Sequence, residues 1–524
     1  MTEDPKHHAA GRGALYLAAS NVYFIFAGMA IQFGLPAVLS RATFGSYTIV
    51  NSIASWFNNV LVTGTIQAVS RTSAAEPEKA RAVEAAGLRM HARIAIGLAI
   101  AFAAAAPGIA WFEHDSSLTA PLMLASLIVA GYAFYAVFVG TANGMHRFGV
   151  QAGLTVVFAT IRAGALIGMG VIGAGVIGVI GGWVAAVAVI LVLTVWWVGL
   201  PGKIVPALKQ PVSPMAKYFV RVAIYLVLFN AIMFVDANLL KRILSEHLAT
   251  LGLAKAEVSR LSDVQVGYYG AVQNLARLSY QVLIAATFVA FPLISRSTFS
   301  NDKSATKQYV GVIARYSLIA GALIAVVMAA VPAGVLGLVY APDFVAAGSA
   351  ALPFLALGNI AFSLIAVAGA ILNGAGETRA ASMTVAFTLV LAIVGNYVGI
   401  SMAVDGGHAL EVAAAATGGA MVVGAIACGL VLHRKFGAFV PWATVLRVGL
   451  AIAAAMLVGR YFPLHAKLVN DPKYGMVASG LMNKVRTLVV AVAAVGAYVV
   501  VLVGTRELGR ADLTRVLAMR RKKT

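Results

Sequence analysis

The run Val176-Ile177-Gly178-Val179-Ile180-Gly181-Gly182-Trp183-Val184-Ala185-Ala186-Val187-Ala188-Val189-Ile190-Leu191-Val192-Leu193-Thr194-Val195-Trp196-Trp197-Val198-Gly199 contains no charged residue. As a helix it rises about 36 Å at 1.5 Å per residue, enough to cross a hydrocarbon core about 30 Å thick. Thirteen further apolar stretches follow the same pattern. The full set lies near 14–36, 46–68, 94–112, 119–142, 151–172, 176–199, 218–240, 265–294, 310–332, 347–372, 380–400, 411–432, 443–460 and 487–505. A chain of 524 residues with 61% hydrophobic and 11% charged residues and 52 glycines fits a polytopic membrane protein rather than a soluble domain.

The charges fix the orientation. With both termini in the cytoplasm, and charges in the outermost turns of a span counted with the face they adjoin, the cytoplasmic face holds 27 of the 39 Lys and Arg and carries +18. The external face and the interior each carry +1. Basic residues beside span ends resist translocation and meet anionic lipid on the inner surface. An even number of spans follows, and the inner membrane of a bacterium is the expected location. The basic residues are dispersed among short loops without a recognition motif, so nucleic acid is not an expected partner. Lys6, His7, His8 and Arg12 precede a first span too long for a cleavable signal peptide, which reads as a retained anchor. The single Cys428 lies within a span and reads as a small packed residue.

Internal echoes organise the spans. The second opens Phe44-Gly45-Ser46-Tyr47 and the eighth opens Val266-Gly267-Tyr268-Tyr269; they close Val69-Ser70-Arg71 and Ile294-Ser295-Arg296. The turn Ala142-Asn143-Gly144-Met145-His146-Arg147 is echoed by Leu372-Asn373-Gly374-Ala375-Gly376-Glu377-Thr378-Arg379. Offsets of about 222 and 230 residues give two six-span units in parallel orientation followed by two extra spans. The expected layout is a cytoplasmic tail 1–13, an N-terminal six-helix lobe 14–200, a cytoplasmic linker 201–217, a C-terminal six-helix lobe 218–432, two additional helices 443–505 and a basic cytoplasmic tail 506–524. The fold class is therefore all-α, with about 14 transmembrane helices in two pseudo-symmetric lobes around a central cavity plus two C-terminal helices. Parallel repeats about an axis along the membrane normal suit alternating access. Segment 241–263 reads as an external insertion with its own short helix. The stretch from Glu76 to Arg93 and the tail from Arg506 read as amphipathic helices on the cytoplasmic interface.

These motifs, with Phe291-Pro292-Leu293-Ile294-Ser295, Asn396-Tyr397 and Glu507-Leu508-x-x-x-Asp512-Leu513, resemble the multidrug/oligosaccharidyl-lipid/polysaccharide exporter superfamily, and within it the polysaccharide flippases and their spore-cortex and lipid II relatives. The resemblance covers nearly the whole chain. It implies a transporter, not an enzyme, that moves a polyprenyl-diphosphate-linked glycan, with membrane lipid, a polysaccharide polymerase and other assembly proteins as partners. It names no cofactor and leaves proton or sodium coupling open. Span one carries Asn21 and Gln32 but no Arg, a departure from the cation-rich first span of lipid II flippases.

The ionised residues singled out within the spans are Arg162 and Arg277, both near mid-span, and Asp236, one turn from the external end of span seven. Each would be costly against lipid, by about 2.5–3.5 kcal/mol for a central charge. A guanidinium keeps its charge and grips phosphate oxygens through parallel N–H donors, so Arg277 and Arg162 suit a diphosphate. The resemblance strengthens Arg277, since related flippases carry cavity cations on span eight. The alternative for either Arg is capping by helix carbonyls or pairing with Asp236 as an interhelical tie. Asp236 is the candidate coupling site, with a salt bridge to Lys241 as its structural alternative. Gln273, Arg277 and Gln281 stand four apart on one face of span eight; Asn274, Asn51, Asn58, Asn59 and Asn230 extend the polar set with amides that suit sugar hydroxyls or helix-to-helix bonds. Glu113, His114 and Asp115 read as a solvated external turn.

No Gly-x-x-x-x-Gly-Lys-Ser/Thr motif is present, and the nine His and one Cys lack metal-ligand spacing, so neither a catalytic nor a metal site is expected. Three alternatives stay open: a lipid II-type flippase; a cation-coupled multidrug exporter, which would prefer an acidic cavity; and a polytopic glycosyltransferase or ligase, which would present a larger external loop.

Overall fold

The computed structural model describes residues 5–75, 77–145, 147–201, 212–281, 302–462 and 481–509, together with 283, 294, 297 and 298. Among these it is helical, with short 3-10 turns at Pro77–Lys79 and Ser116–Leu118. The first helices are α1 (Pro5–Val38), α2 (Arg41–Ala75), α3 (Ala80–Phe112), α4 (Thr119–Gly144), α5 (Phe148–Val171), α6 (Gly175–Val198), α7 (Val212–Thr250) and α8 (Lys255–Ala276). They are followed by α9 (Lys303–Ala330), α10 (Pro332–Val339), α11 (Pro342–Gly348), α12 (Ala351–Gly374), α13 (Thr378–Ala403), α14 (Ala409–Phe436), α15 (Trp442–Tyr461) and α16 (Leu481–Gly504).

Twelve of the described helices are long and apolar enough to cross a membrane. The protein is a multi-pass membrane protein. Helix α2 falls outside the twelve although its 35 residues rise about 52 Å. Its side chains explain why: Asn51, Ser52, Asn58, Asn59, Thr65 and Gln67 lower its hydropathy, and α4 and α7 pack along it, so protein replaces lipid as its surroundings. Span eight is only partly described, and the Phe291–Ser295 motif, most of the linker 201–217 and the tail beyond Gly509 lie outside the described residues.

The chain forms two compact units, Met1–Gly270 and Ala271–Thr524. In the first, α4 is the central element, packed against α2, α3 and α6, while α1 lies on α5 and α7 on α2. In the second, α12 is almost wholly enclosed by α9, α13 and α14. These two central helices end alike. The Met145 amide donates to the Thr141 carbonyl at 2.9 Å and Arg147 to Ala142 at 2.8 Å; Ala375 donates to Ile371 at 3.0 Å and Glu377 to Leu372 at 2.8 Å. The Asn-Gly echo is thus a shared backbone cap, which closes off carbonyls that the helix leaves without partners.

The other echo is a helix crossing. A Cβ on Gly45 would overlap the carbonyl group of Asp263, and one on Gly267 would lie 2.6 Å from the carbonyl oxygen of Arg41. The glycines let α2 and α8 meet backbone to backbone. We expect Gly45→Ala to lower thermal stability by about 1–3 kcal/mol or more through overpacking. Gly97→Ala, where a Cβ meets nothing within 4 Å, should leave it unchanged. Thermal unfolding of the purified protein followed by size exclusion separates the two outcomes.

Two expectations are corrected. The stretch after Pro77 is not an interfacial helix but the start of the 33-residue α3. Glu84 and His91 are buried, His91 Nε2 lying 2.8 Å from Thr65 Oγ1 and its ring edge-on to Phe219. Arg81 bonds Glu84 at 3.0 Å and caps the end of α6 through the carbonyl of Val198 at 2.6 Å. Segment 241–263 has no short helix of its own: α7 runs on to Thr250 and α8 begins at Lys255, so the two form a helical hairpin. The tail expected to form an interfacial helix lies outside the described residues beyond Gly509, but Glu507 at its start is described. It is buried and binds Arg315 of α9, Arg447 of α15 at 2.9 Å and Thr444 at 2.8 Å. Together with the bond from Tyr498 on α16 to Ile319 at 2.9 Å, it fastens the two additional helices to unit two.

Candidate functional site

On α8 the backbone sets the register of the candidate stripe. The Arg277 amide donates to the Gln273 carbonyl and the Gln281 amide to the Arg277 carbonyl, each at 3.0 Å. Four-residue bonds continue through Arg277 although regular helix stops at Ala276, so Gln273, Arg277 and Gln281 share one side of the segment. Gln273 is buried; Arg277 and Gln281 are half-buried. Beside them Asn274 bonds Tyr340, and Tyr280 meets Phe362 edge-on at 5.0 Å.

Unit one separates the other candidates. The Arg162 guanidinium lies over the Trp183 ring, 4.5 Å from its centroid, a cation–π contact, with its Nε buried and unbonded. Trp183 in turn donates to Tyr132 Oη at 3.1 Å. Asp236 accepts from Tyr269 Oη at 2.7 Å, so Arg162 and Asp236 are not tied to each other. Asn59 donates to Asn230 at 2.8 Å, Asn238 to Ser52 at 3.0 Å, and Trp56 to the carbonyl of Val227 at 2.8 Å. These bonds stitch α2 to α7. Asn51 is half-buried and accepts from Ser55 at 3.3 Å. Asn58 is different. It is 6% exposed and neither amide atom has a partner, an arrangement that costs about 1–3 kcal/mol per unmet group unless water or a ligand meets it.

The charged site that the sequence reading missed lies where the α3–α4 connection meets the α7–α8 hairpin. Lys241, 0% exposed, bonds Asp115 Oδ2 at 2.8 Å and also Asp263, and Ser46 of α2 donates to Asp263 Oδ2 at 2.8 Å. Two expectations fail here. Lys241 pairs with Asp115 and Asp263 rather than Asp236, and Glu113 and Asp115 are buried rather than solvated. Burial pushes Asp115 upward, but the field and hydrogen bond of Lys241, with Ser117 and Ser259, outweigh it and hold the carboxyl below its usual range. Burial pushes Asp263 up to about 6 despite Lys241. Glu113, also buried, is pushed up to about 8 against Lys241 and Arg242. No sequence spacing announces this set, because Asp115 stands 126 residues from Lys241. Among the described residues no group of three or more His, Cys, Asp or Glu is placed to hold a metal ion.

Residues 255–398 match the MatE family model. In structure the chain is similar to the lipid II flippase MurJ in an inward closed conformation, at 12% identity and TM-score 0.66, covering 94% of this chain and 99% of that one. The fold is that of the MATE and MurJ transporters. A MATE transporter in the straight conformation matches at 13% identity and TM-score 0.56 over 82% of this chain and 96% of its own. The Vibrio cholerae MATE transporter VcmN in the bent form matches at 15% and 0.53 over 82% and 98%. No curated protein matches the chain in sequence. Within the MATE–MurJ fold, the MatE match begins at Lys255 and takes in the α8 stripe.

Proposed function

We propose that the chain is an inner-membrane flippase for a polyprenyl-diphosphate-linked oligosaccharide, serving surface-polysaccharide assembly, with both termini in the cytoplasm and two six-helix lobes at 14–200 and 218–432. The observation that carries this reading is the α8 stripe. A half-buried guanidinium flanked at four-residue spacing by amides offers paired N–H donors to a diphosphate and mixed donors and acceptors to sugar hydroxyls. Arg277, Gln273, Asn274 and Gln281 form the head-group set, with unpartnered Asn58 and half-buried Asn51 as a second polar surface. Alternating access requires that each open state hold the head group only moderately, since a ligand shifts the conformational balance by its differential affinity. Asp236 is the candidate for cation coupling.

A lipid II-type cargo is the second reading. It is favoured by the extent of the MurJ match, 94% of this chain against 82% for the MATE transporters. A drug exporter would instead favour an acidic surface for cationic substrates, whereas the stripe presents a guanidinium. The test is the lipid-linked glycan pool of a deletion strain, with upstream synthesis blocked conditionally to avoid toxicity. A polyprenyl-linked glycan should accumulate on the cytoplasmic leaflet and be cleared by the wild-type gene, and its chemistry would identify the cargo. An unchanged pool with altered drug efflux would refute the flippase reading.

A further inference from the structure

The cluster at the α7–α8 hairpin has more negative charge than its cations can balance. Three carboxyl groups, Glu113 and Asp115 from the α3–α4 side and Asp263 from α8, face one ammonium, Lys241 of α7. The other cation there is committed elsewhere: Arg242 bonds the Phe112 carbonyl at 2.5 Å and Glu246 at 2.5 Å, with its guanidinium 4.8 Å from the Phe112 ring centroid. His114 lies against Glu246 at 3.7 Å, away from the cluster. From α2 the cluster receives only the neutral Ser46 hydroxyl, and from the 3-10 turn and α8 the hydroxyls of Ser117 and Ser259. Glu113 is 2% exposed and its Oε2 has no hydrogen-bond partner. With every carboxyl ionised, Glu113, Asp115, Asp263 and Lys241 would sum to −2 in a buried site, and burying unpaired charge is costly enough that a group neutralises instead.

We propose that the docked hairpin holds a bound proton on Glu113, beside the Asp115–Lys241–Asp263 set, so that docking the hairpin onto the α3–α4 turn and α2 takes up that proton. The site is distinct from the α8 stripe and does not depend on what is transported. The distribution of charge along the chain assigns it to the outer face, where the medium would supply the proton.

The sign follows from linkage. Glu113 is raised from an ordinary 4.5 to about 8 and Asp263 from 3.8 to about 6 when docked, so the docked form binds more protons than the undocked form across those windows. From about pH 4.5 upward docking therefore weakens as pH rises, by up to about tenfold per pH unit for one proton; at more acid pH Asp115, held below its usual range, gives the opposite slope. Above about pH 6, Glu113 alone carries the dependence; above about pH 8 it is spent.

The test is Glu113→Gln, which keeps the shape of the side chain and removes the titration. Hydrogen exchange of peptides from 241–263 in nanodiscs, corrected for the intrinsic pH dependence of exchange, reports opening of the hairpin. Wild type should open progressively between about pH 6 and about pH 8, and Glu113→Gln should be flat across that window. Infrared spectra at neutral pH give a second reading: a protonated-carboxyl band present in wild type should be missing from Glu113→Gln. Equal pH slopes in the two proteins, or identical infrared bands, would overturn the proposal.

Discussion

Arg277→Ala is expected to reduce transport by about ten- to a hundredfold while the protein accumulates in the membrane as wild type. Hydrogen bonds to a charged group contribute about 1.5–3 kcal/mol, and 1.36 kcal/mol corresponds to a factor of ten. Arg277 is half-buried at a one-residue irregularity between helical Ala276 and Leu278, so removing its side chain deletes charge without emptying a fully buried site. Lys restores the charge but not the planar fork, so Arg277→Lys should recover only part of the activity. Flipping of the lipid-linked glycan by protein reconstituted in vesicles, set against membrane abundance, checks both. Equal loss of protein and activity would make Arg277 a structural tie and remove the observation on which the flippase reading rests.

A larger effect, on folding rather than transport, is expected from Lys241→Met. The substitution leaves Asp115 and Asp263 buried around a missing counter-ion, and breaking a buried pair by deleting one partner costs about 3–5 kcal/mol. The yield of folded protein should collapse. Replacing the whole set, Lys241→Met with Asp115→Asn and Asp263→Asn, should restore much of it, because no unpaired charge remains. Monodisperse yield and thermal midpoint of the two variants give the comparison. If the single variant were as stable as wild type, the burial of Lys241 would carry no energetic weight, and the cluster could not fasten the hairpin.

Apolar runs made the spans legible, because a bilayer imposes its thickness on any helix that crosses it. The apolar residues between 46 and 68 mark α2 as a span even though its amides and hydroxyls lower its hydropathy; what they do not show is that Asn59 and Ser52 bond α7. Arg277 and its flanking glutamines could be placed on one face from spacing alone, since four-residue spacing is a property of the helix itself. Lys241 could not. In the sequence Asp236, one turn earlier, is the partner that offers itself, whereas the actual partners of Lys241 come from a turn and a helix that only tertiary packing brings near. Glu84, His91 and Glu507 were hidden the same way, each a polar residue in a basic stretch that reads as surface until a neighbouring helix covers it. Asn58 marks the opposite case: sequence proposed a polar lining, and the amide is left without a partner inside the protein.

The crossing of Gly45 with Gly267 also sets a common register for the two segments. Aligned on those two glycines, Asn51 falls in register with Gln273, Ser55 with Arg277 and Asn59 with Gln281. An amide, a small polar or cationic group, and another amide stand at the same steps in both, and the guanidinium stands in one of them only. At these three steps the two differ by one exchange of hydroxyl for positive charge, so under the proposed flippase reading an anionic head group would meet its cation on one segment and neutral partners on the other.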